Sequence, residues 1–250
     1  MSAKTRISWS DATWNPTTGC TKVSPGCKNC FAERVAKRLQ AMGQPHYANG
    51  FKLTLHGDAL LLPLRWTKPK RIFVDSMSDL FHEDVPLQFI QRVFDVVRSA
   101  PRHQFQILTK RSDRLVAADP EMDAFGWPSN LWMGVSVENA DYAERIDNLR
   151  EIHAAHRFLS LEPLLGPLPG LNLAGIDWVI VGGESGPGHR EMDIAWLEDI
   201  VAQCHAQGVK CFVKQDSASR PGQQGRLSDE LFGTKELPAG LQLEEAPCTA

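Results

Sequence analysis

The chain has 250 residues, 42% hydrophobic and 23% charged, the balance of a globular protein able to bury a large core. A formal charge of −3 excludes a global electrostatic pull toward nucleic acid or anionic membrane, although a local basic surface is compatible with it. No apolar run approaches the roughly 20 residues that span a bilayer, and "MSAKTRISWSDATWN" lacks the apolar core of a secretory signal, so a cytoplasmic location is expected.

Eight short β-branched or aromatic runs are predicted as strands, alternating with amphipathic patterns. The first, "RISWS" (6–10), leads into "TTGCTKVSPGCKNCFAERVAKRL", where Cys20, Cys27 and Cys30 fall between a Gly/Pro-containing loop and an expected helix. "FKLTLHG" (51–57) is a second, weak strand, and "RWTKPKR" (65–71) a basic segment able to touch a phosphate backbone but equally a solvated turn. "RIFVDS" follows, then "SDLFHEDVP", whose Asp79, His82, Glu83 and Asp84 fit either a metal or acid/base cluster or the acidic start of a helix. That helix, "PLQFIQRVFDVVRSA", sets Phe89, Ile90, Val93, Phe94, Val96 and Val97 on one side.

The alternation continues with strands "FQILTK", "LWMGVSVEN", "RFLSLEP", "DWVIVGGES" and "KCFVKQ". Helices are expected in "NADYAERIDNLREIHAA" and in "DIAWLEDIVAQCHAQG", with Gly208 as C-cap. Parallel βαβ units in this number predict an α/β fold, a (β/α)8 TIM-barrel-like or partial barrel, in one domain over residues 1–216; a doubly wound open sheet is the alternative. From residue 217 to 250 the pattern fails, and a peripheral, partly mobile tail is expected.

Most expected strands end in polar residues: Asp75, Lys110 and Arg111, Glu138 and Asn139, Glu162, Glu184, and Lys214 and Gln215. In a barrel these would converge on the rim where barrel enzymes build their sites, and charge there must be paired or functional. Glu138, Glu162, Lys110 and Lys214 are therefore the candidate catalytic side chains. The cysteine loop follows the first strand and shares that rim, and the helix beginning near Cys30 favours negative charge at its N-terminus.

In a reducing compartment a three-cysteine cluster is a metal or catalytic site before it is a disulfide framework. Structural zinc takes four ligands, and only His46 or His189 could be named as a fourth. A four-iron cluster held by three cysteines leaves one iron open to a small molecule. Cluster, zinc and metal-free redox thiols are the readings available. "GGESGPGH" lacks the lysine ending of a phosphate loop, and Cys204 and Cys211 read as core residues.

The motifs "NPTTGCTKVSPGCKNCFAE", "DSMSDLF", "LTKR", "GVSVEN", "SLEPLLGPL", "VIVGGESGPGHR" and "FVKQ", in order over residues 7–216, resemble a phage-associated bacterial three-Cys-motif family known mainly as a domain of unknown function. That family is similar to radical S-adenosylmethionine (SAM) enzymes such as spore photoproduct lyase. The resemblance implies a barrel or partial barrel in which Cys20, Cys27 and Cys30 hold a 4Fe-4S cluster. It also implies SAM as cofactor, met by Ser136, Glu138, Gly182, Gly183 and Glu184, and an electron donor such as flavodoxin or ferredoxin. A radical reaction that modifies or repairs nucleic acid is the activity it suggests. The usual radical SAM spacing is C-x3-C-x2-C with an aromatic before the third cysteine; here the first gap is six residues and Asn29 holds that place. Rival readings are a non-catalytic iron–sulfur or zinc nucleic-acid-binding protein, an iron–sulfur enzyme that does not use SAM, and a hydrolase using Glu138, Glu162 or Glu184 as acid and base.

Overall fold

The computed structural model describes residue 5 and residues 7–243. The first strand, β1, is Ala12–Trp14, followed by the two-residue β2 (Thr17–Thr18), helix α1 (Phe31–Ala41), β3 (Thr54–Leu55) and β4 (Arg71–Val74). Next come α2 (Leu87–Arg98), β5 (Gln104–Thr109), α3 (Ser112–Ala124), β6 (Leu131–Ser136), α4 (Glu144–Glu151), β7 (His156–Leu161) and β8 (Trp178–Gly182). The chain ends in α5 (Ile194–Ala206), β9 (Lys210–Gln215) and the short α6 (Asp229–Gly233).

Seven strands form one all-parallel curled sheet in the order β1-β4-β5-β6-β7-β8-β9, and β2 pairs with β3 in a small antiparallel ribbon. The fold is thus the partial barrel among the expected forms. The closed eight-strand form is corrected by two segments. "RISWS" supplies turns before β1 rather than a strand, with Arg6 outside the described residues, and "FKLTLHG" gives only the two-residue β3. The polar "NPTT" and Gly19 that follow β1 bend the chain away at once, which leaves it too short to pair on both sides. α3 was not anticipated, because its apolar spacing is poor and Pro120 lies inside it. No helix joins β7 to β8. Gly208 adopts φ +69° just past α5, in the C-terminal position expected of it.

Alternation along the strands divides the core. The outward face, with Ile72, Ile107, Val135, Leu161, Val181 and Val213, packs under the helices. The inward face is filled at its lower end by Trp9, Trp132, Phe158, Trp178, Ile180, Phe212 and Leu241, so the concavity is plugged from below. Trp178 is the hub, with ring centroids 6.0 Å from Trp9, 5.8 Å from Phe158 and 6.1 Å from Phe212. What remains of the inner surface lies at the C-terminal ends of the strands.

The free edge of β9 would expose unpaired amides. Residues 234–236 cover it: Val213 donates to the Thr234 carbonyl and Glu236 to the Cys211 carbonyl. Leu227 and Leu241 are buried and Trp178 Nε1 donates to the Glu236 carbonyl, so the expected tail is tied to the sheet through residue 243. Its last seven residues, Cys248 among them, lie outside the described residues.

Gly134 faces the Phe158 ring, and a Cβ there would stand 2.6 Å from ring carbons. Gly134→Ala is expected to cost about 1–3 kcal/mol by overpacking, read as a lower denaturant midpoint; an unchanged midpoint would refute the assigned contact.

Candidate functional site

The sheet brings the strand-end residues to one rim, and most of the charges there are paired. Glu138, fully buried just past β6, takes Lys110 Nζ at 2.9 Å, Arg145 Nη1 at 3.1 Å and the Ser24 hydroxyl at 2.5 Å. Burial alone would raise its pKa, but Lys110, Ser24 and Arg145 together hold it below the usual carboxylate range. Gly26 lies directly against it, since a Cβ there would meet Oε1 at 2.4 Å. The strand-end carboxylate is therefore the seat of the Cys20–Cys30 loop.

Arg111, at the entrance to α3, grips the same loop from β5. Nη1 stands 3.4 Å from Cys20 Sγ and 3.0 Å from Asp79 Oδ2, Nε 3.1 Å from Glu83 Oε2, and Nη2 donates to the Thr21 hydroxyl at 2.8 Å and its carbonyl at 3.1 Å. His82 Nε2 lies 3.0 Å from the Thr21 hydroxyl. "SDLFHEDVP" is thus a brace for the cysteine loop: Asp79 receives Thr109, Arg111 and the amides of Phe81 and Lys110, and no metal-ligand trio forms there among the described residues. Burial, with Asp79 adding to it, pushes the Cys20 thiol up to about 11 against the opposing pull of Arg111. Cys30 sits at the N-cap of α1; burial raises its pKa although the amides of Ala32 and Glu33 favour the thiolate.

β8 holds the loop from the other side. Asn29 Nδ2 donates to Glu184 Oε2 at 2.8 Å and to the Gly188 carbonyl at 2.9 Å. Glu184 is further bound by the Arg190 amide at 2.8 Å and guanidinium Nε at 3.0 Å, which keeps its pKa low in spite of burial. Gly182 and Gly183 permit close approach to the chain after β9: a Cβ on Gly183 would meet the Ser217 amide at 2.3 Å, and one on Gly182 would meet Glu162 Oε1 at 2.9 Å.

On the inner face Ser136 pairs in register with Ser160, and above them Glu162 Oε1 stands 3.1 Å from Lys214 Nζ. That oxygen is buried and outside hydrogen-bond geometry, as is the whole Gln106 amide. All the candidate catalytic side chains therefore reach one rim, as Lys110–Glu138 and Glu162–Lys214 pairs. "RWTKPKR" does not join them: it precedes β4, at the opposite end of the sheet, where Arg71 is bidentate to Asp11. Ser24, Arg145 and Arg190 were missed, since nothing in their local sequence distinguishes them from ordinary loop or helix-surface residues. Asp75, just past β4, adopts φ +55° with its carboxyl buried, 2.9 Å from both the Thr17 amide and hydroxyl, and burial pushes its pKa up to about 8.

These features define a class: a parallel half-barrel whose C-terminal rim carries a three-cysteine loop clamped by charged strand ends. The chain belongs to the family described as "Protein of unknown function (DUF5131)", which it matches over residues 4–238. No curated protein matches it. Among solved structures it is similar to spore photoproduct lyase complexed with dinucleoside spore photoproduct, at 12% identity and TM-score 0.44, covering 72% of this chain and 58% of that one. A lyase mutant gives 13% and 0.45 over 73% and 58%, and a mutant with bound AdoMet and dinucleoside spore photoproduct gives 12% and 0.42 over 79% and 62%. The chain therefore spans less than two thirds of the length of these neighbours.

Glu138→Gln leaves Lys110 and Arg145 facing each other without a counter-charge, and a loss of about 3–5 kcal/mol is expected in urea unfolding; a loss under about 1 kcal/mol would show that solvent screens the cluster. Asp75 carries a raised folded pKa, about 8 against 3.8, so its stabilisation is full below pH 3.8 and fades as pH rises toward 8. Asp75→Asn is expected to flatten that decline by on the order of a few kcal/mol, measured as unfolding midpoints at pH 5 and pH 8; parallel wild-type and variant curves would contradict it.

Proposed function

We propose that the protein is an iron–sulfur enzyme of the radical SAM type acting on nucleic acid. The observation that carries this is the place of the cysteine loop: three thiols of one loop meet the open C-terminal rim of a parallel half-barrel, held by Arg111, Glu138 and Glu184 through side chains of other strands. The donor set fits a cluster better than one ion. Structural zinc takes four protein ligands, whereas a four-iron cluster held by the three thiols of Cys20, Cys27 and Cys30 keeps one iron open for a small molecule.

When bound, a four-iron cluster with SAM on its open iron supplies one-electron cleavage of SAM and hydrogen abstraction from a substrate. This chain's residues supply the surroundings. Arg111 lends positive charge to Cys20 and so opposes the burial that keeps the thiol protonated. Glu138 and Glu184 have their oxygens taken by cations and amides, which makes them positioning residues for the loop. Glu162, paired with Lys214 through Oε1 and receiving the Ser160 hydroxyl at Oε2, is the rim carboxylate with the fewest partners and the one placed to receive an amino group or ribose hydroxyl. Gly182 and Gly183 keep that wall close to backbone height. Val23 and Phe31, exposed beside the cysteines, offer a contact for a donor such as flavodoxin or ferredoxin.

Nucleic acid as substrate is supported by the photoproduct-lyase likeness implied by the motifs, and by Lys28 on the cysteine loop. A cytoplasmic site of action agrees with the free thiols of Cys20, Cys27, Cys30, Cys204 and Cys211 among the described residues; no helix among the described residues is long and apolar enough to cross a membrane. An iron–sulfur protein that does not use SAM is the second reading, favoured by the saturation of Glu138 and Glu184.

Anaerobically reconstituted protein is expected to hold about four irons and four sulfides per chain, to lose them when Cys20, Cys27 or Cys30 becomes Ala, and to release 5′-deoxyadenosine with dithionite and SAM. Glu162→Gln should lower that release at least tenfold with iron content unchanged. A full cluster without SAM cleavage would select the second reading, and stoichiometric zinc at the cysteines without iron would overturn both.

A further inference from the structure

Beyond the rim, α1 ends at Ala41 and the chain returns through a turn at Pro45–Tyr47, β3 and a second turn at Gly57–Ala59. This return brings together His46, His56 and Asp58, whose ligand atoms all lie within 4.8 Å of one another. His46 Nε2 is 3.0 Å from Asp58 Oδ2, and the two imidazole centroids are 4.3 Å apart. We propose that His46, His56 and Asp58 bind one divalent transition ion of the zinc class, at a site separate from the three cysteines.

The donor chemistry fits such an ion. Two imidazoles and a carboxylate are borderline ligands suited to zinc and its neighbours, and three protein ligands leave a fourth position for water. An ion pair alone accounts for His46 and Asp58 but gives no reason for a second imidazole, nearly fully buried, beside them. His56 is oriented in the manner of a metal ligand: Thr18 Oγ1 lies 2.8 Å from its Nε2 and also donates to the His46 carbonyl at 3.3 Å. Access is open, because Asp58 is 70% exposed while His56 is anchored inside.

The position gives the ion a consequence. Thr18 belongs to β2, two residues before Cys20, whose amide bonds the Phe51 carbonyl within the same returning segment. Gly19, at φ +84° against the Lys52 carbonyl, leaves no side chain between the two. An ion on His46, His56 and Asp58 therefore clips residues 45–58 to the strand that delivers Cys20, and acts as a structural fastener for the cysteine loop.

The test is titration of full-length protein with Zn²⁺, and with Co²⁺ as optical probe, in the wild type carrying its cluster and in the C20A/C27A/C30A variant. One equivalent is expected in each, with d–d bands but no thiolate-to-cobalt charge transfer, and a rise in Tm on binding. Asp58→Asn and His46→Asn, both at accessible side chains, should weaken binding at least tenfold with unchanged circular dichroism; His56→Ala is avoided because it removes a buried side chain. Because the cysteine-free variant reports this site alone, failure of the cluster reading leaves the result intact. Binding that disappears with the cysteines, that shows thiolate charge transfer, or that is indifferent to Asp58→Asn and His46→Asn would overturn the proposal.

Discussion

A carboxylate cannot be buried at the end of a strand without counter-charges, and Glu138 meets that constraint with Lys110 from β5, Arg145 from α4 and Ser24 from the cysteine loop. Each partner comes from a different element, so satisfying one charge fixes three segments relative to β6. Gly26 then lies flush on the same carboxylate, since any side chain there would collide with it. The loop is thereby seated on β6 at this buried group.

The same logic repeats at either side with different chemistry. Arg111 spreads its donors over Asp79, Glu83, Thr21 and Cys20, a planar fork suited to holding several acceptors at once. Glu184 collects Asn29 and Arg190. The loop is thus preorganised by contacts from β5, β6 and β8, and the cysteines need supply no folding force of their own. Burial holds the Cys20 thiol in its protonated form, against the opposing pull of Arg111.

The open sheet and the filled floor are complementary. Seven strands curl without closing, and the aromatic residues around Trp178 occupy the lower concavity, where a closed barrel would have its own layered core. Coverage of β9 by residues 234–236 removes an edge that would otherwise recruit another strand. Apart from the mid-strand Gln106, the polar inner surface lies at the strand ends, where Ser136, Ser160, Glu162 and Lys214 face inward.

Much of this was legible in the residues. Buried parallel strands must be continuous apolar runs, so "WVIVG" and "FQILT" announced themselves, as did the one-sided helix from Leu87 to Arg98. Charges that interrupt such runs mark where the sheet surfaces, which is why Lys110, Glu138, Glu162, Glu184 and Lys214 could be named from order alone. β1, three residues long and followed by the polar "NPTT", gave no comparable signal, and α3 hid behind weak periodicity and Pro120. The sequence by itself determined the layered α/β class, the rim and the three thiols, because burial patterns and cysteine spacing are local properties. Only the tertiary structure decided the partners: that Ser24 and Arg145 answer Glu138, that Asn29 answers Glu184, and that His46 meets His56 and Asp58 instead of the cysteines. Those pairings depend on distances across elements far apart in the chain, which no local pattern encodes.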